Sequence, residues 1–261
     1  MLYDNMTQSK NRPVKTTATS LELLEKIKEL DGATVGELEA EMELGRTTIH
    51  NHLQTLLDFE YVSKENNTYE VGLRLLHLGQ YARTCKREYD LAKRAVETLA
   101  FETQLEADFN VEEHGRLINL FDIVGPASDS GWEVGTFFNM HSTAAGKALL
   151  AELSKDRVEE ILDTHGLPAQ TERTITDRDE LFRQLEVIQE RGYAINDREC
   201  YEGYKTIGKA VTYPDGSIFG GLAVGGPAYI IGEQFDTSIQ EALKTAVADL
   251  ESDVETEMLP G

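Results

Sequence analysis

The stretch Gly45-Arg46-Thr47-Thr48-Ile49-His50-Asn51-His52 carries side chains whose chemistry suits the edges and phosphates of nucleic acid. An arginine can pair with guanine or a phosphate, an asparagine can pair bidentately with adenine, and threonine hydroxyls reach bases or phosphates. At helical spacing, positions 46, 47, 50 and 51 share an outer face, while Ile49 and Leu53 turn inward. No Asp or Glu occurs from Arg46 to Leu57, in a chain with 47 acidic residues against 25 Lys+Arg. Lys64 and Asn66 follow in a short β-like stretch and can reach the DNA backbone or minor groove. His52 is a weaker candidate, because it can cover the helix without touching DNA. Polar side chains on one helix face also describe an ordinary solvated surface, so the surrounding elements must decide.

Other chemistries fail on spacing. Gly146-Lys147 has Ala148 where a phosphate-binding loop needs Ser or Thr for magnesium, and the earlier glycine of that motif is missing. The six histidines, at positions 50, 52, 77, 114, 141 and 165, show no zinc-ligand spacing. Ser142 beside His141 lacks the elbow motif of a serine nucleophile. Cys85 and Cys200 are too few for a disulfide framework and read as packing or surface residues. The sequence thus implies no catalytic residue, no metal and no cofactor, and the protein is expected not to be an enzyme.

The elements that must position the first stretch follow from hydrophobic period. Residues 1–15 are polar and read as a flexible arm. Thr19 or Ser20 caps a first helix with Leu21, Leu24, Ile27 and Leu30 as its stripe, and Asp31-Gly32 stops it. Thr34 caps a second helix with Leu38 and Met42 inward. A third helix, Arg46 to Phe59, buries Ile49, Leu53, Leu56 and Leu57. Two short strands, Tyr61–Ser63 and Thr68–Val71, flank Asn66-Asn67, a pair suited to a hairpin turn. Three helices and a small hairpin over 16–72 are the winged helix-turn-helix order, in which the N-terminal part of the second helix of the turn enters the major groove. A linker helix over 73–87 carries Leu75, Leu76, Leu78 and Tyr81.

From residue 88 the pattern changes to an α+β domain running to 261, with a mainly antiparallel sheet. Its expected helices are Leu91–Ala107, Thr143–Leu153, Lys155–Thr164, Asp177–Glu190 and Phe235–Glu257. Its expected strands are Phe109–Glu113, Leu117–Val124, Val134–Phe138, Ile207–Tyr213 and Ser217–Val224, the last two joined by Pro214-Asp215-Gly216.

The net charge of −22 would repel DNA if it were evenly spread. Residues 1–87 hold 11 Lys+Arg against 13 Asp+Glu, a net of −2, and residues 88–261 hold 14 against 34, a net of −20. The acid excess therefore lies outside the proposed DNA-binding part. Such a surface keeps a protein soluble at high salt, and it reads as adaptation to a halophilic cytoplasm, with a merely acidic mesophilic protein as the alternative. No segment has the ~18 consecutive apolar residues of a membrane span, and the N-terminus lacks a signal-peptide core. A cytoplasmic location without membrane contact is expected.

Three blocks in order resemble the IclR family of transcription regulators across nearly the full length. The first is Ser20-Leu21-Glu22-Leu23-Leu24 through Thr47-Thr48-Ile49-His50-Asn51-His52-Leu53, continuing in Tyr69-Glu70-Val71-Gly72-Leu73. The second is His141-Ser142-Thr143-Ala144-Ala145-Gly146-Lys147-Ala148-Leu149. The third is Glu190-Arg191-Gly192-Tyr193-Ala194 followed by Gly220-Gly221-Leu222-Ala223-Val224-Gly225-Gly226-Pro227. The resemblance implies a GAF-like effector-binding domain, a homodimer or homotetramer, and binding to a near-palindromic operator on double-stranded DNA. It further implies an effector pocket walled by Ala144, Ala145, Asn196, Tyr204, Thr206, Ala223 and Gly225, for an organic acid or other metabolite. A helix N-terminus near Ser142 would suit an anion, unless Ser142 or Thr143 caps those amides itself. Where members of the family often carry acids and serines, this chain has Asn196-Asp197, Ala223 and Gly225.

Two alternatives stay open at this level. One is a small-molecule binding or enzymatic protein whose N-terminal module serves protein contacts. The other is a DNA-binding regulator without a ligand.

Overall fold

The computed structural model describes residues 14–125, 133–232 and 235–258. The chain divides between Cys85 and Lys86 into two compact units. The proposed arm lies almost wholly outside the described residues.

The first unit opens with helix α1 (Lys15–Glu29), which starts earlier than the Thr19 or Ser20 cap expected from the sequence. Val14 precedes it with no side-chain cap. Its buried residues are Leu23 and Ile27, with Leu24 partly buried, whereas Leu21 and Leu30 are exposed. The expected stripe was therefore rotated from the true one. Helix α2 (Val35–Glu41) is started by a complete capping box: Glu37 N donates to Thr34 Oγ1, and Thr34 N donates to Glu37 Oε2 at 2.8 Å. These bonds satisfy two amides that helix geometry leaves unpaired. Helix α3 (Arg46–Asp58) buries Ile49, Leu53 and Leu56. Strands β1 (Val62–Glu65) and β2 (Thr68–Val71) form an antiparallel hairpin. Asn66 and Asn67, at φ of 47° and 75°, supply the left-handed backbone that a two-residue hairpin needs. Ala33 and Tyr69 exchange backbone bonds of 2.9 and 2.8 Å, which fastens the hairpin to the α1–α2 connection. Helix α4 (Arg74–Thr84) follows and buries no residue.

The second unit is built on a six-stranded sheet in the order β5-β4-β3-β8-β7-β6, every neighbouring pair antiparallel. In chain order it comprises helix α5 (Glu88–Thr103), β3 (Glu106–Glu113), β4 (Arg116–Ile123), β5 (Phe137–Phe138), α6 (Ala144–Glu152), α7 (Lys155–His165) and α8 (Arg178–Arg191). It continues through β6 (Ala194–Asp197), β7 (Tyr204–Thr212), β8 (Ile218–Pro227), the short α9 (Ala228–Ile231) and α10 (Thr237–Met258). The helix expected to run to Ala107 stops at Thr103, where Gln104 turns left-handed at φ 57°. Strand β6 was not expected, and β5 is shorter than the expected Val134–Phe138.

One sheet face packs on α5 and α10 through Phe109, Phe121, Leu222, Val224, Ile207, Leu99, Val247 and Leu250. The other packs on α6, α7 and α8 through Leu117, Ala145, Leu149, Ile161, Leu185, Ala194 and Ala223. Helix α6 can lie close because the sheet below it is smooth. A Cβ on Gly208 would come within 2.7 Å of Ala145 N, so only glycine permits that approach.

Candidate functional site

In the first unit, the inward set Ile49, Leu53 and Leu56 fixes the rotation of α3 and leaves Arg46, Thr47, Thr48, His50 and Asn51 exposed. No acidic residue sits in its first turn, and its N-cap Gly45 supplies no side-chain cap. Thr48 N is taken by Gly45 O at 2.9 Å, so the amides of Arg46 and Thr47, with the helix dipole, are the groups left to face an anion. Arg46, Thr47 and His50 line one cleft with Thr34, Val35, Gly36, Lys64, Asn67 and Tyr69. Lys64 lies opposite Tyr69 in the hairpin, with Nζ 3.1 Å from the phenol oxygen and 4.7 Å from the ring centroid. Thr48 and Asn51 lie on the exposed surface of α3 outside this cleft. His52 has another partner, because its Nδ1 is 2.8 Å from Ser20 Oγ on α1.

In the second unit, a cavity opens between the sheet and the start of α6. Its walls are Asp108, Asn110, Leu117, Asn119, Phe138, Thr143, Ala144, Ala145, Asn196, Cys200, Tyr201, Tyr204, Thr206 and Ala223, and its interior offers about 40 Å³ to water-sized occupants. Thr143 is the cap of α6, its Oγ1 accepting from Gly146 N at 3.1 Å. Ser142 turns away to bond Asn139 O and Gln170. With that cap in place, Ala144 and Ala145 still have amides without partners inside the helix. The His141 ring sits 3.2 Å from Pro168 O, so Ser142 and His141 serve separate structural contacts.

A polar wall on β3 and β4, absent from the residues expected at the site, also lines the cavity. Glu106, Asp108 and Asn110 alternate with Ala107, Phe109 and Val111, a pattern that normally marks one solvated face. Here both faces are covered, and Glu106, Asp108, Asn110 and Asn119 are all buried. Asn110 Nδ2 donates to Asp108, and the Tyr204 hydroxyl donates to Glu106. Burial pushes the Asp108 carboxyl up to about 7, aided by the nearby Glu106 and opposed by the Asn110 bond. The Asn119 side chain has no hydrogen-bond partner at either Nδ2 or Oδ1. Leaving a buried polar group unpaired costs ~1–3 kcal/mol.

A buried ion pair holds the cavity's outer loop. Lys147 on α6 is fully buried, and its Nζ lies 2.5 and 2.6 Å from the two carboxylate oxygens of Glu199. Gln184 on α8 accepts a third bond at 3.1 Å. Burial pushes Lys147 down and Glu199 up, and their mutual attraction opposes both shifts. Asn196 Oδ1 accepts from Glu199 N at 2.8 Å and Cys200 N at 3.4 Å. Burial also pushes the Cys200 thiol up to about 11, which keeps it protonated and unreactive.

Of the seven residues that the family resemblance assigned to the effector, Ala144, Ala145, Asn196, Tyr204, Thr206 and Ala223 line this one cavity. Gly225 does not. It pairs with Thr206 and Glu106 within the sheet, where an added Cβ would meet Lys205 O at 2.2 Å.

A winged helix-turn-helix unit followed in the chain by a sheet unit covered by helices on both faces, with a cavity at a helix N-terminus, is the architecture of a class of transcription regulators. Residues 89–252 match the family described as bacterial transcriptional regulator IclR C-terminal, and the chain belongs to the IclR family. It is 29% identical to the probable HTH-type transcriptional regulator ArcR of Halobacterium salinarum over 83% of this chain and 84% of that protein. It is 28% identical to the HTH-type transcriptional regulator KdgR of Escherichia coli over 77% of each. Among solved structures, the Thermotoga maritima IclR superposes with a TM-score of 0.75 at 21% identity, over 93% of this chain and 100% of that one. An IclR homolog from Microbacterium hydrocarbonoxydans complexed with 4-hydroxybenzoate gives 0.74 at 19% identity, over 86% and 92%. Among the described residues, no helix is long and apolar enough to cross a membrane.

Proposed function

We propose that this regulator binds a near-palindromic operator through α3 and the β1–β2 wing, and that a small-molecule effector in the α6 cavity changes its operator affinity. Arg46 and Asn51 read bases, Thr47, Thr48 and His50 contact bases or phosphates, and Lys64 contacts the backbone. The observation that carries the reading is the exposed, acid-free N-terminal part of α3, which shares a cleft with the wing lysine. Effector binding acts by favouring one of two conformations that hold the operator differently. The open amides at the start of α6 suit a carboxylate, which makes an organic acid the favoured class of effector. The domains accordingly divide as a DNA-binding part over 16–72, a linker over 73–87 and an effector and oligomerisation part over 88–261.

A two-fold operator calls for a two-fold protein. The exposed Leu73, Leu76, Leu78 and Tyr81 on and beside α4 offer an apolar surface for a second copy. The protein works in the cytoplasm as a homodimer or homotetramer, without catalytic activity.

Operator binding by Arg46→Ala and Asn51→Ala tests the DNA-contact assignment. Each substitution is expected to weaken specific binding by ~1–3 kcal/mol and to relax discrimination at one base pair. Unchanged affinity and specificity in both would remove α3 as the reading element. The small interior of the cavity, about 40 Å³, favours a second reading, a regulator without ligand. Calorimetric titration with small organic acids separates the two, because heat of binding at any one of them removes the second.

A further inference from the structure

The unpaired amide of Asn119 is the side chain in the cavity wall that the reading above leaves unused. It is 1% exposed, and its position is the product of a local irregularity. Phe109 pairs with Phe121, but the next residue, Asn110, pairs with Asn119. Leu120 is the extra residue of a β-bulge. Without the bulge, Asn119 would fall on the same face as Phe121, in the α5–α10 core. With it, Leu120 packs against that core and Asn119 lines the cavity beside Asn110 and Asp108. Bulges beside binding sites re-aim side chains in this way. The main chain of Asn119 is satisfied, its N donating to Thr136 O at 3.1 Å and its O accepting from Gly135 N at 2.8 Å. The side-chain amide alone is left, presenting donors and an acceptor side by side.

We infer that Asp108, Asn110 and Asn119 form a specificity subsite on the β3–β4 wall that takes the hydroxyl groups of a compact polyhydroxylated effector. This deepens the effector reading above and rests on it. A hydroxyl both donates and accepts, so it matches an amide that needs both. Asp108 is held by Asn110 on one oxygen and takes a hydroxyl as acceptor when ionised or as donor when protonated. Glu106, paired with Tyr204, adds a second carboxyl next to it. Sites built to hydrogen-bond a hydroxyl reject analogues lacking it, because their own polar groups are then stranded.

The test is calorimetric titration of the full chain with glycerol, xylitol, glycerate and gluconate, against propionate, hexanoate and β-alanine. At least one hydroxylated probe is expected to bind about tenfold or more tightly than any probe without hydroxyls, a difference of about 1.4 kcal/mol. The charged and uncharged arms show whether a carboxylate is also required. In Asn119→Leu the preference is expected to vanish, while the melting temperature without ligand stays equal or rises, since an unpaired buried amide has been replaced by an apolar group of similar size. A purely structural Asn119 would instead lower the melting temperature. Equal binding of hydroxylated and plain acids, tighter binding of β-alanine, no binding by any hydroxylated probe, or a preference that survives in Asn119→Leu would each overturn the inference. A hydroxylated probe that binds without changing operator affinity supports the subsite while removing the effector-coupling part of the reading above.

Discussion

At the scale of single residues, the chemistry of the two units rests on opposite treatments of polarity. On α3 the polar side chains are left in solvent, where a DNA groove can desolvate them. On β3 and β4 they are buried already. For the exposed set, Lys64→Ala should weaken binding nearly equally on operator and random DNA and reduce the salt slope by about 1, unlike a base-reading substitution. For the buried set, the folded-state value of about 7 for Asp108, above its ordinary 3.8, sets a direction. The folded protein holds this proton more tightly than the unfolded chain does. The stabilising contribution of Asp108 is therefore fully present below about pH 4 and lost as pH rises through about 7. Asp108→Asn should gain on the wild type by roughly 2.6 kcal/mol between pH 5 and pH 8 in denaturant titrations, close to two units at about 1.36 kcal/mol each. A constant difference across that range would show that Asp108 titrates normally. The outward residues of α3 were legible in the sequence because the period of Ile49, Leu53 and Leu56 declares its inner face. Asp108 and Asn119 were not, since nothing local reveals that α6 covers the face they occupy or that Leu120 bulges.

At the scale of elements, legibility followed the strength of local rules. The Thr34 cap, the Asn66-Asn67 turn and the stripe of α3 depend on near neighbours and could be read directly. The start of α1 could not, because Lys15 begins a helix without any capping side chain. The end of α5 was also hidden, since Gln104 takes the left-handed turn that glycine usually supplies. Strand β6 has four residues and depends on pairing with β7, a contact remote from any sequence pattern. The clamp between α6 and the β6–β7 loop, Lys147 with Glu199, is another remote contact, and it has a testable energetic signature. Removing one partner strands a buried charge, so Lys147→Met should destabilise by ~3–5 kcal/mol, whereas adding Glu199→Leu should restore most of the loss. Thermal or denaturant unfolding of the single and double variants reads this directly. Additive losses would mean the pair is not coupled.

At the scale of the whole molecule, the charge is divided as the functions are. The near-neutral first 87 residues, net −2, can approach phosphates that the −20 of the remainder would repel. That division was visible in the sequence, as was the family, because three blocks kept their order and spacing. The acid excess also implies self-repulsion that salt relieves, so any binding experiment needs a salt range in which the protein is folded. The most direct measurement is protection of the DNA upstream of the protein's own gene from nuclease cleavage, across such a salt series, with wild type and Arg46→Ala in parallel. Protection of a near-palindromic site by the wild type, weakened in the variant and falling steeply as salt rises, is the expected result. The absence of a protected site at every salt concentration where the protein is folded, or identical protection by Arg46→Ala, would contradict the assignment of α3 as the element that reads DNA.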